Sequence, residues 1–180
     1  IIQETLSYLG LKDIKIEMSS AKFYKRLCEL VDDTSFVDIL KKRDLSSMKI
    51  LIDRKGIQSP LKDLLIQLPR CFGDIAMLNQ MIMMIQDQQL KDALLELRDL
   101  YDKLEKKEFF SFDLAMTPSM KYYTGIIIKG YSPYSADTII NGGRYDKLMD
   151  HFHKVVPAIG FSYDLSHILK ALEKEEENNA

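Results

Sequence analysis

The chain has 180 residues, 46% of them hydrophobic, with 25 Lys and Arg against 27 Asp and Glu, a formal net charge of −2. That length and apolar content suit one domain or a little more, built on a real core. The scattered, balanced charge argues against nucleic acid or an anionic membrane as a partner. No run is long and apolar enough to cross a bilayer and no signal peptide opens the chain, which points to a cytoplasmic location. Cys28 and Cys71 are far apart and lack metal-ligand spacing, so they read as reduced, packed thiols.

The opening IIQETLSYLGL reads as a helix entered in its middle, with neither methionine nor cap before it. A fragment of a longer chain is the expectation. The helix over residues 1–9 puts Ile2, Leu6 and Leu9 on one face and ends at Gly10. Residues 12–18 alternate as a half-buried strand, Ile14, Ile16 and Met18 one way, Lys15 and Glu17 the other. Ser19 or Ser20 then caps a helix to about Val31, with Phe23, Leu27 and Leu30 inward.

Strand signals nearly vanish over residues 32–107. Short helices are predicted from Thr34 or Ser35 to Lys42, over 45–53 and over 61–67, the last opened by Ser59-Pro60. Pro69 and Gly73 mark a loop. Residues 74–85 carry Met77, Met81 and Met84 at helical spacing, a stripe better read as packing filler than as a groove. Residues 90–105 form an amphipathic helix with a seam of Leu90, Leu94, Leu97, Leu100 and Leu104. The block is expected to be an all-helical insertion that supplies no group to a site, flanked by 1–31 and 108–180 as one domain.

Strand periodicity returns with Phe110, Phe112 and Leu114, and Thr117-Pro118-Ser119 breaks it. The stretch KYYTGIIIKGYSPYSADTIINGGRYD, residues 121–146, reads as a hairpin: a tyrosine pair at the start of one strand (126–128), a turn at Gly130, Ser132 and Pro133, a second strand (138–140), and a GGRYD loop. Paired glycines there permit close approach of a ligand or another backbone. A helix over 145–152, a strand over 158–163 and a last helix from Asp164 or Ser166 to about Leu172 follow, with the tail KEEENNA expected to fray. The order favours an α+β arrangement, an antiparallel sheet with flanking helices. His151 and His153, two apart, do not share a helix face, so no metal site is expected. His167 reads as a surface histidine, and no cofactor motif is present.

The segments YYTGIIIKGY, NGGRYDKL and PAIGF, at these distances, resemble the histidine-recognition and last-motif regions of histidyl-tRNA synthetases and of their relatives, the regulatory subunits of ATP phosphoribosyltransferase. LGLKDIKIEM resembles the strand before that family's helical insertion. The resemblance implies a class II aminoacyl-tRNA synthetase-like core with the insertion at 32–107. It implies histidine as ligand at Tyr122, Tyr123, Thr124, Gly142, Gly143, Arg144 and Tyr145, with further ligand contacts from segments upstream of Ile1. Two departures separate the relatives. Pro118 opens the segment where synthetases read Arg-Gly-Leu-Asp, and His167 stands where the last motif carries its ATP-gripping arginine. The resemblance therefore implies a non-catalytic regulatory subunit. It would form a homo-oligomer of the full-length chain, assemble with the short-form catalytic ATP phosphoribosyltransferase subunit, and take part in feedback control by histidine. The alternatives are an active histidyl-tRNA synthetase fragment and a synthetase-like pseudoenzyme sensing uncharged tRNA.

Overall fold

The computed structural model describes residues 2–148, 150 and 156–179. Helix α1 (Ile2–Leu9) stops at Gly10, whose φ of +80° is open to glycine and whose N–H donates to the Ser7 carbonyl at 3.2 Å. Strand β1 (Lys15–Ser20) buries Ile16 and Met18 completely, as its alternation requires. Ser20 ends the strand and caps α2 (Ala21–Val31), its Oγ accepting from the Phe23 N–H at 3.3 Å. Phe23, Leu27 and Val31 then face the core.

The helical block holds α3 (Phe36–Lys42), α4 (Leu45–Lys55), α5 (Leu61–Gln67), α6 (Ile75–Met84) and α7 (Gln88–Asp102). Asp44, Asp74 and Asp87 cap the N-termini of α4, α6 and α7, each accepting backbone N–H groups that the helix leaves unpaired. Met81 is buried and Met77 packs against the core, so that part of the methionine stripe is filler, while Met83 on the far side is exposed. Leu90, Leu94 and Leu97 form the buried seam of α7. The block is not wholly helical. Phe72–Gly73 forms a two-residue strand, β2, where only a loop was expected, because two residues carry no periodicity to read. One continuous apolar core runs from Leu40, Met48 and Leu65 through Leu94 to Ile16, Phe112, Ile140 and Ile168, so the block and the sheet share it.

The sheet adds β3 (Phe110–Asp113), β4 (Ile126–Tyr131), β5 (Ile140–Arg144) and β6 (Ile159–Tyr163), in the order β2-β3-β1-β4-β5-β6. Every pair is antiparallel except β1 and β3, which run parallel with Glu17 opposite Ser111. The expected antiparallel sheet is thus mixed, because the helical block acts as the crossover that returns the chain in the same direction. Gly142 and Gly143 lie inside β5 rather than in a loop after it. Helix α8 (Leu165–Asn179) runs through the acidic tail, contrary to the expected fraying. The buried Glu175 carboxylate accepts from the backbone N–H groups of Lys12, at 3.1 and 3.2 Å, and Asp13, at 2.7 Å, which fixes that end of the helix. Of the helix expected over 145–152, most positions are described and none is α-helical, Asp146 and Lys147 forming a turn; the pair His151 and His153 lies outside the described residues.

Alternation divides the sheet into two unlike faces. Ile16, Met18, Phe112, Ile128 and Ile140 face the helices. On the other face Glu17, Lys129, Asn141 and Ser162 line up in one register row across β1, β4, β5 and β6. The next row on that face is Ser19, Ile127, Gly143 and Gly160.

Candidate ligand-binding site

The loop 114–124 between β3 and β4 folds over the row with the two glycines. Tyr122 and Tyr123 lie in a turn just before β4 and not in the strand itself. Tyr123 is 6% exposed and packs with Ala21, Met116 and Ile127, with Tyr145 against the same cluster. Tyr122, at 41%, stands outside. Its ring meets Tyr123 edge-on at 5.3 Å between centroids and Tyr145 at 5.6 Å, a favourable arrangement for aromatic pairs. The glycines make the room. A Cβ on Gly143 would lie 2.9 Å from the Tyr123 ring, and one on Gly160 2.6 Å from the Tyr145 hydroxyl. Burial pushes the Tyr123 phenol up, while a hydrogen bond with Ser119 pulls it back.

Thr124 closes the loop. Its N–H donates to the Arg144 carbonyl at 2.8 Å, and its hydroxyl accepts from the Asp146 N–H at 3.0 Å. Arg144 Nε lies 2.9 Å from both Asp146 carboxylate oxygens; this hydrogen bond raises the guanidinium and, with Thr124, holds the Asp146 carboxyl below its ordinary value. The Lys25 ammonium donates to the Tyr123 carbonyl at 2.6 Å, and the Tyr145 N–H to the Ala158 carbonyl at 2.8 Å.

Of the residues singled out from the sequence, Tyr122, Tyr123, Gly143 and Tyr145 converge. Thr124 anchors their loop. Gly142 and Arg144 belong to the opposite face by strand alternation; a Cβ on Gly142 would meet Phe161 at 2.6 Å. Arg144 shares its register row with Ser20, Ile126 and Ile159. Those residues line a cleft of about 640 Å³ between α7 and the outer strands, bordered by the Lys22–Glu96 ion pair at 2.6 Å. This cleft is therefore behind the sheet, away from the tyrosines.

A second polar group on the tyrosine face escaped sequence reading. Asp113, at the end of β3, is 3% exposed and pairs with Arg43, which follows α3. Burial first, then the neighbouring Asp113 carboxylate, raises the Glu17 carboxyl. Tyr131 is pushed up to about 12 by burial and by Glu17. No local motif links Arg43 to Asp113, since they meet only through the fold. His167, expected on the surface, is 28% exposed, with ring nitrogens 3.7 Å from Asp137 and 3.5 Å from Asp164. Among the described residues no cluster of histidine, cysteine or carboxylates could hold a metal.

The family model described as histidyl-tRNA synthetase matches residues 1–168. The chain belongs to the histidyl-tRNA synthetase family. Within the family it is similar to proteins of another name. It is 37% identical over 175 residues to the ATP phosphoribosyltransferase regulatory subunit of Lactococcus lactis subsp. cremoris (strain SK11), covering 95% of this chain and 54% of that protein. It is 36% identical to the same subunit of Clostridium novyi (strain NT), covering 94% and 42%. The chain thus spans about half the length of the curated relatives it matches. A Bacillus halodurans structure, an ATP phosphoribosyltransferase regulatory subunit/histidyl-tRNA synthetase, superposes with a TM-score of 0.81 at 26% identity, over 96% of this chain and 48% of that one. The ATP phosphoribosyl transferase (HisG:HisZ) complex from Thermotoga maritima has a TM-score of 0.65 at 16% identity, over 90% and 57%, and shares the fold. The fold is that of the class II synthetase-like core of this family. Among the described residues no helix is long and apolar enough to cross a membrane.

Proposed function

We propose that this chain is part of a regulatory subunit of ATP phosphoribosyltransferase. It would have no catalysis of its own, assemble in the cytoplasm with the short catalytic subunit, and bind histidine as the feedback ligand. A homo-oligomer of the natural-length chain belongs to the same reading, with residues 32–107 as the helical insertion of its synthetase-like domain. The observation that carries the reading is the tyrosine site: a buried Tyr123 with its ring seated on Gly143 and edge-on to Tyr122, on the polar face of the sheet. The relatives at 36% and 37% identity bear the regulatory name. The test is reconstitution. The natural-length protein, added to a short catalytic subunit, is expected to confer activity and histidine inhibition, and calorimetry is expected to give one histidine site per chain. Failure to support activity, or no histidine binding, rejects the reading.

The family name favours a second reading, an active synthetase. Two features speak against it. Pro118 has neither charge nor side-chain donor where the resemblance places an arginine. His167 has two carboxylates within 3.7 Å, Asp137 and Asp164, a poor setting for a triphosphate. Histidine-dependent ATP–pyrophosphate exchange is expected to stay at background; exchange above it would establish the synthetase.

A further inference from the structure

Strand β3 ends at Asp113, and the loop that carries the tyrosine pair begins there. Its first three residues are fastened from outside the loop. One Asp113 carboxylate oxygen accepts from the Ala115 N–H at 3.1 Å and the other pairs with the Arg43 guanidinium. The second arm of that guanidinium donates to the Pro69 carbonyl at 3.2 Å. The Leu114 N–H donates to the Cys71 carbonyl at 2.9 Å, and Met116 N–H to the Asp113 carbonyl at 3.2 Å. Arg43, Pro69 and Cys71 all belong to the helical block. Met116 then packs in the same buried cluster as Tyr123. A continuous set of contacts therefore runs from the α3–α4 turn to the tyrosine ring.

Arg43 itself occupies an unusual place. It ends α3 at φ +51°, the left-handed position that favours glycine. A long cationic side chain there is explained by what its head group does. Removing it would leave the buried Asp113 carboxylate beside Glu17 without its cation.

We propose that Arg43 is a positioning residue for the tyrosine site: through Asp113 it fixes the start of loop 114–124, holds Met116 against Tyr123, and makes the helical block a lever on the ligand site. The ligand part of this rests on the reading of the tyrosine cluster as the histidine site. A displacement of the α3–α4 turn is thereby felt at the Tyr123 ring, which gives the block a regulatory role with no ligand contact of its own.

The test compares Arg43→Gly and Asp113→Asn with the natural protein of full length. Glycine suits the left-handed backbone, so Arg43→Gly keeps the cap while removing the side chain that carries the guanidinium. Hydrogen exchange of residues 114–124 is expected to speed up roughly tenfold in both variants, the loss of one charge-assisted anchor, with exchange in β1 and β4 unchanged. Histidine affinity, by calorimetry, is expected to fall by a similar factor, and Arg43→Lys to recover part of it. Unchanged exchange in 114–124 in both variants, or a uniform rise across the sheet, overturns the proposal. If the natural protein binds no histidine, the ligand reading fails alone, and the exchange data still decide the role of Arg43.

Discussion

Gly143 and Tyr123 are fitted to each other: a Cβ on Gly143 would stand 2.9 Å from two carbons of the Tyr123 ring and 2.9 Å from the Ile126 carbonyl oxygen. The glycine is required by the aromatic ring above it, since its place in the middle of β5 would otherwise suit a branched residue. Gly143→Ala must displace a buried ring or a strand backbone. We expect a loss of about 1–3 kcal/mol, the usual range for overpacking, by urea denaturation, together with weakened histidine binding. Gly160→Ala meets the Tyr145 hydroxyl, the far end of a half-buried side chain that can swing aside, and is expected to cost less. Equal stability of Gly143→Ala and the natural protein would mean that the ring is not held where it is described.

Asp87 joins α7 to α2. Its carboxylate caps α7 through the Leu90 N–H at 2.9 Å and takes the Arg26 guanidinium at 2.8 Å. The Arg26 hydrogen bonds, ahead of the helix N–H, hold its carboxyl below the ordinary 3.8. A group lowered in the folded state adds stability that is complete above its unfolded value and is lost as pH falls through the folded one. Asp87→Ala is therefore expected to cost about 1–2 kcal/mol at neutral pH, as a lost cap with a partly exposed ion pair. The difference should shrink below about pH 4, where the unfolded carboxyl is protonated. Urea melts at pH 7 and pH 3 check both; a difference independent of pH would exclude the carboxylate as its source.

Glu175 tests the C-terminal helix. Its carboxylate takes two backbone N–H groups from the segment between α1 and β1, far away in sequence. Glu175→Ala leaves those donors without their acceptor and is expected to cost about 1.5–3 kcal/mol, the range for a hydrogen bond to a charged group. Hydrogen exchange should rise at Lys12, Asp13 and the last turns of α8, and stay constant in β4. Replacing its neighbours Glu176 and Glu177, both exposed, is expected to change little.

The sequence made these features legible to different depths. Where burial follows a local period, as in β1, the α7 seam and the first strand of the hairpin, the elements fell close to where the pattern put them; the second strand came later than expected, at Ile140–Arg144. Ser20 caps α2 as its local pattern predicts, whereas the caps Asp44, Asp74 and Asp87 were not singled out, although they reach N–H groups only two or three residues away. Apart from β2, too short to carry a period, the misses below share one cause, a partner distant in the chain. Glu175 reads as part of a solvated charge run until Lys12 and Asp13 arrive beside it. Gly142 and Gly143 read as a loop, since glycine weakens a strand; Phe161 and Tyr123 occupy the room they leave. The parallel pairing of β1 with β3 depends on where a long helical crossover returns, and Arg43 meets Asp113 only by that return. In the candidate site, the tyrosines were visible as a motif, but strand alternation alone assigns Arg144 and Gly142 to the opposite face.

The last prediction concerns the Tyr123 hydroxyl. Tyr122 and Tyr123 are neighbours in sequence with opposite environments, one 41% and the other 6% exposed, so only Tyr123 has its phenol inside the cluster. Ser119 lies near enough to that hydroxyl to pull its pKa down. A phenol can accept from a serine and still donate, so one proton remains for a ring nitrogen of a bound imidazole. Tyr123→Phe keeps the ring, the contact with Gly143 and the edge-on packing with Tyr122, and removes this one donor. Histidine affinity in the natural-length protein is expected to fall by about 1 kcal/mol, roughly fivefold, and by more if the ligand nitrogen is left buried without a partner. Folding stability should change less than affinity, because the hydroxyl's neighbour in the free protein, Ser119, lies in an exposed stretch of the loop and can turn to water. Tyr122→Phe, altering the outer ring, is expected to leave affinity within twofold, the effect of a solvated hydroxyl. Calorimetry on the three proteins decides the matter: equal affinity in Tyr123→Phe and the natural protein would remove the hydroxyl from the recognition of histidine.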